Sequence, residues 1–223
     1  MSEQMLAQYR RYLQQLADND SGELFTNGGK EHAVMLYSVL FSKVNSHVRI
    51  FCEGAHSEIW NHPIFADAFV KMVEKGVATV DILLEETPDR TGIPFPDYLN
   101  RLLDRSSGIR IREISENDHG YIRDVYGSNN VNFSVFDNRM FRFEYDKTAY
   151  KAYGSFNDKD TAAGLAAFFD RIFSNADPVS NGGIFRNPME KITSADFKFD
   201  SESGSGFADV KLSPSNYSSI SGL

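Results

Sequence analysis

Apolar and polar positions along the chain follow two periods, and the switch between them outlines the fold. In residues 3–18, "EQMLAQYRRYLQQLAD", Leu6, Tyr9, Leu13 and Leu16 recur at helical spacing, so a leading helix with one apolar face is expected. "SGELFTNGGKEH" interrupts it. From Glu31 to Val44 the apolar residues Ala33, Val34, Leu36, Tyr37, Leu40, Phe41 and Val44 give the clearest helical period in the chain. "HVRIFCE" reads as a buried strand, because β-branched and aromatic residues fill a short run. After the loop "GAHSEIWNHP", residues 63–75 predict another helix, with Pro63 in its first turn and Gly76 closing it. "VATVDILLEE" and "GIRIREI" are two further strands, separated by the loop "TPDRTGIPFP" and a helix over residues 96–105. Such alternation predicts an α/β fold, a parallel or mixed sheet flanked by helices.

The pattern then changes. Residues 116–130 are mostly polar and are expected to form a loop. "VNFSVFDNRMFRFEYD" reads as two antiparallel strands around a two-residue turn at Asp137-Asn138, both types tolerant of φ > 0. That register pairs Phe133 with Arg142 and Val131 with Glu144, and sends Asn132, Ser134, Phe141 and Phe143 to the other face. "TAYKAYGSF" is expected to add a third antiparallel strand. Asn157 or Asp158 would cap a last helix carrying the stripe Leu165, Phe168, Phe169, Ile172 and Phe173. Beyond about residue 176 Ser, Gly, Asn and Pro dominate. The expected organisation is one α/β domain over residues 1–176, including the helix at 3–18, and a Ser/Gly-rich extension or arm over 177–223.

Composition narrows the function classes. With 41% hydrophobic and 13% aromatic residues in 223, the chain can bury a substantial core. A net charge of −8 argues against broad nucleic-acid binding, which needs clustered Lys and Arg. No run approaches the roughly 18 apolar residues of a membrane helix, and the amphipathic N-terminus is unlike a signal peptide. The single cysteine, Cys52, excludes an intramolecular disulfide and suits a reducing compartment. A soluble, cytoplasmic protein is expected, with no membrane partner.

Four places carry candidate chemistry. On the hairpin, Asn132 and Ser134 would form a polar pocket, or Arg142 and Glu144 a charged site on the opposite face; the competing reading is a structural ion pair with two polar residues satisfying backbone groups. Asn27, Gly28, Gly29 and Lys30, just before the strong helix, could receive an anion on free N–H groups, although helix initiation by Asn27 explains the same residues. Cys52, His56 and His62 follow a strand end, but their spacing matches no zinc pattern, and buried cysteines are ordinary core residues. His119 in "NDHGYIRD" is the remaining candidate base, expected in a loop near the hairpin, where lone histidines are usually solvated. Nothing in the sequence calls for a metal or a cofactor.

With "LFTNGGKEHAVMLYSVLFSKVNSHVRIFCEG", "VNFSVFDNRMFRFE" and "AAGLAAFFDRIF" in this order, residues 23–175 resemble one phospholipase D-like domain. The resemblance implies a mixed sheet flanked by helices, with a late strand carrying His-x-Lys and then an Asp. It also implies a histidine that attacks phosphorus and a lysine that holds the phosphate. Here Asn132 and Ser134 stand where His and Lys would be, and Asp137 follows closer than the family's spacing. A carboxamide is a very poor nucleophile and a serine hydroxyl carries no charge. The expectation is therefore a non-catalytic or catalytically altered module that binds a protein or ligand. The resemblance further implies a homodimer. The helix at 3–18 and the tail could supply contacts to that copy or to another, unidentified protein partner, since a terminal arm gains most by lying on another surface. The alternative is a phosphodiesterase or nuclease with a non-standard site, using His119 or a base from a second subunit near Asn132.

Overall fold

The computed structural model describes residues 3–55, 57–76, 79–106, 108–127 and 131–179. In chain order the elements are α1 (Glu3–Asp18), β1 (Leu24–Gly28), α2 (Lys30–Lys43), β2 (His47–Cys52), α3 (Pro63–Glu74), β3 (Thr79–Leu84), α4 (Pro88–Thr91), α5 (Asp97–Leu103), β4 (Ile109–Glu113), α6 (Glu116–Tyr126), β5 (Asn132–Phe136), β6 (Met140–Asp146), β7 (Lys151–Ser155), α7 (Lys159–Asn175) and β8 (Asp177–Pro178). The strands form one mixed sheet in the order β1-β7-β6-β5-β2-β3-β4-β8. β2, β3 and β4 are parallel, as their helical crossovers require, and the remaining pairs are antiparallel. The expected α/β class, a mixed sheet flanked by helices, is what forms.

Side-chain alternation along each strand divides the core in two. One face packs Val48, Ile50, Val80, Ile82 and Phe136 against α1, α2 and α3. Helix α2 is buried nearly all round, because α1, α3 and the sheet enclose it. The apolar face of α1 lies on α2 through Leu13, Leu16 and Ala17, so much of the face expected to meet a partner is spent inside the domain. The other face packs Phe51, Phe133 and Phe143 against Phe169 and Phe173 of α7 and Ile122 of α6.

Three local expectations are corrected. Residues 24–28, read as an interruption, are an edge strand, because Phe25 is buried between β7 and Phe156. The polar stretch after Ile114 is a helix, not a loop. A capping box between Ser115 and Asp118 starts it, and Gly127 at φ 69 ends it, so cap chemistry outweighs a weak apolar period. Third, the hairpin register is shifted by one. Asp137 and Asn138 take positive φ as expected, but Arg139 is an additional residue, and Phe136 pairs with Met140. Arg139 is drawn out of the ladder by bonds to Asp20 and to the carbonyl oxygens of Phe156 and Lys43. Its own carbonyl accepts from Asp158 N, while the Asp158 side chain caps α7. Of the expected arm over residues 177–223, residues 180–223 lie outside the described residues, and residues 177–178 pair with β4.

Candidate functional site

The register shift decides what the hairpin can do. A one-residue slip exchanges the faces of a strand. Asn132 therefore stands opposite Glu144 and Ser134 opposite Arg142, and all four side chains project toward α2 instead of onto opposite faces. Their neighbours on the same face are Asn27 of β1 and Tyr37 of α2, so six polar groups meet inside an apolar layer.

Arg142 is 1% exposed and is held on three sides. Its Nη2 donates to Glu144 Oε1 at 2.7 Å, its Nε donates to Asn27 Oδ1 at 3.2 Å, and its guanidinium lies 5.2 Å over the Tyr37 ring. Burial alone would favour losing the proton, but Tyr37 and Glu144 outweigh it and hold the pKa above its ordinary value. Glu144 Oε2 accepts from Asn132 Nδ2 at 2.6 Å, while Asn132 Oδ1 accepts from the backbone N–H of Glu53 at 3.2 Å. Ser134 Oγ shares a 2.9 Å hydrogen bond with the Tyr37 hydroxyl. Asn27 Nδ2 donates to the carbonyl of Tyr150. Gly154, opposite Arg142 on β7, makes room for this layer: a Cβ there would fall 2.7 Å from the Phe25 ring and 2.2 Å from Phe141 O.

Above this network, at the carboxyl end of β2, lies a cavity of about 100 Å³. Its polar wall is Glu53, Asn132, Arg142, Glu144 and Lys147, and its aromatic wall includes Trp60 and Tyr150. Open α/β sheets place ligands at such strand ends. Lys147 is itself paired with Glu85 at 2.7 Å, with both side chains nearly buried. Burial raises the Glu85 pKa against the pull of Lys147, and its Oε1 has no hydrogen-bond partner among the described residues.

The other sequence candidates do not join this cluster as a set. Of residues 27–30, Asn27 faces Arg142, whereas Lys30 pairs with Glu58 at 2.7 Å and Gly28 N donates to His32 Nδ1 at 3.5 Å. Asn27 does not initiate α2; its N-cap is Gly29, in extended conformation. Cys52 lines the cavity, but burial pushes its pKa up to about 12, which keeps the thiol protonated. His62 is occupied as the cap of α3, accepting from Ile64 N at 3.2 Å, and His56 lies outside the described residues. His119 stands on α6 rather than in a loop and is not part of the cavity lining. Tyr37, Trp60, Lys147 and Tyr150 were not marked as candidates by the sequence pattern. Only their nearness to strand ends, in the "GAHSEIWNHP" loop and the β6–β7 turn, could have pointed to Trp60, Lys147 and Tyr150.

No protein-family model matches the chain, and no curated protein matches it. Similar solved structures include TrmBL2, an archaeal chromatin protein with a novel mode of DNA binding (TM-score 0.49, 13% identity), over 79% of this chain and 63% of that one. This chain thus spans less than two thirds of the TrmBL2 chain. They also include the phospholipase D family member Nuc from Salmonella typhimurium (TM-score 0.47, 15% identity), over 70% of this chain and 99% of that one. NucT from Helicobacter pylori is similar at a TM-score of 0.48 and 12% identity, over 70% of this chain and 100% of that one.

Proposed function

We propose that the chain is a phospholipase D-like module that does not carry out His-x-Lys phosphodiester chemistry and instead binds a ligand in the cavity beside Asn132. One observation carries this reading. The polar groups where a nucleophile and a phosphate clamp would be needed are already committed to one another. Asn132 bridges Glu53 N–H and Glu144, Ser134 is tied to Tyr37, and the Arg142 charge is matched by Glu144. A group that must attack or hold a phosphate needs free donors or lone pairs. What remains open to a ligand is the cavity wall, shaped and held in place by the network behind it. Self-association through a second copy is the remaining part of the proposal and rests on the resemblance alone.

The test is hydrolysis of a generic phosphodiester and of single- and double-stranded DNA and RNA by purified full-length protein, with and without chelator. No turnover is expected from the wild type. Turnover that falls in Asn132→Ala or His119→Ala would overturn the proposal in favour of a phosphodiesterase with a non-standard site.

A further inference from the structure

The charge and size of the cavity limit what can enter it. We infer that its ligand is a compact organic cation, a protonated primary amine; this rests on the binding-module reading above. The two cations of the described lining are neutralised by direct contact, Arg142 by Glu144 and Lys147 by Glu85, each at 2.7 Å. Glu53 is different: it is an exposed carboxylate on the lining that forms no ion pair among the described residues. The wall therefore carries one uncompensated negative charge. An anion entering would meet Glu53 while the cations of the described lining are already paired, whereas an ammonium group gains from Glu53.

The aromatic wall points the same way. Trp60 is 4% exposed, and with Tyr150 it lines the cavity. Indole and phenol faces carry negative quadrupole charge and attract alkylammonium groups, Trp most strongly. Size sets the limit. The cavity holds about 100 Å³, below the roughly 150 Å³ that accepts benzene in an engineered core. Methylammonium, ethylammonium or the end of a lysine side chain matches that size.

Trp60 is the single tryptophan of the chain, so intrinsic fluorescence reports on this wall. Full-length protein is titrated at constant ionic strength with ethylammonium chloride, sodium chloride or sodium phosphate. A saturable change with ethylammonium alone is expected. Glu53→Gln, an exposed substitution, should weaken it by about tenfold with an unchanged thermal midpoint. A response to ethylammonium no different from that to sodium chloride overturns the inference, as does saturation by phosphate or indifference to Glu53→Gln. If these occur without phosphodiester turnover, the cation is wrong and the binding module stands. Turnover overturns the module itself, whatever the amine does.

Discussion

On the α2 side of the sheet, Arg142 and Glu144 are sealed, with side chains 1% and 4% exposed. On the α7 side Asp81 is equally buried, but its partner Arg110 is 54% exposed, and buried Arg49 is paired with Asp170, 51% exposed. Both sides bury a charge, but on the α7 side one partner of each pair is more than half exposed, whereas the α2-side pair meets only the cavity. There the pairs act as staples: Asp81 joins β3 to His47 of β2 and Arg110 of β4, and Asp170 joins α7 to β2. The sealed pair on the α2 side ties two residues of one strand, β6, and links outward through Asn27 and Asn132. Desolvating an ion pair costs several kcal/mol per ion, and Coulomb attraction only about repays it. The α2-side cluster is therefore a poor stabiliser, and its position under the cavity is its better explanation.

The largest expected effect separates the two faces directly. Glu144→Ala leaves Arg142 buried and unmatched and should cost about 3–5 kcal/mol in urea unfolding. Asp170→Ala leaves Arg49 with its 2.8 Å bond to Asn138 and a route to water, and should cost no more than about 1–2 kcal/mol. Equal losses would erase the distinction.

Gly154→Ala comes next. Its Cβ would strike backbone and a buried ring, so about 1–3 kcal/mol should be lost, with a changed Trp60 signal if the network shifts.

How much of this was legible in the sequence depends on which interactions decided each element. Helix α2 and strands β2, β3 and β4 follow from local apolar period, and they form as expected. Helix α6 was missed because its start is written in a cap, Ser115 with Asp118, rather than in an apolar stripe. The site was half legible. Asn27, Asn132, Ser134, Arg142 and Glu144 were all marked, but assigned to two faces and to a separate anion loop. One residue, Arg139, decides the register, and it is held by Asp20 and the Phe156 carbonyl, contacts far away in sequence. Positive φ at Asp137 and Asn138 is as the turn chemistry predicts, but the loop holds three residues rather than two, and the faces exchange.

Smaller effects sharpen the picture of the α7 side. Burial would raise the Asp81 pKa, but hydrogen bonds from His47 and Arg110 outweigh it and hold it below its ordinary 3.8. Asp137 is likewise held low: burial opposes, and bonds from the His47 N–H, the Ser46 hydroxyl and N–H and the Asn45 N–H win. A carboxyl with a depressed folded pKa contributes stability in full above its unfolded value, and that stability is lost as pH falls through the folded value. Urea midpoints should therefore fall as pH drops below 3.8. In Asp81→Asn that acid-induced fall should be shallower, from a starting stability about 1–2 kcal/mol lower at pH 7. An unchanged pH profile in this variant would remove Asp81 from the set of staples.

The most direct measurement of the central claim is urea unfolding of the double variant Arg142→Met/Glu144→Leu beside Glu144→Ala. If the sealed charges serve the cavity rather than the fold, removing both at similar volume should recover most of the single variant's loss, to within about 1 kcal/mol of wild type or above it. A double variant as unstable as Glu144→Ala would make the cluster a structural requirement and contradict the account.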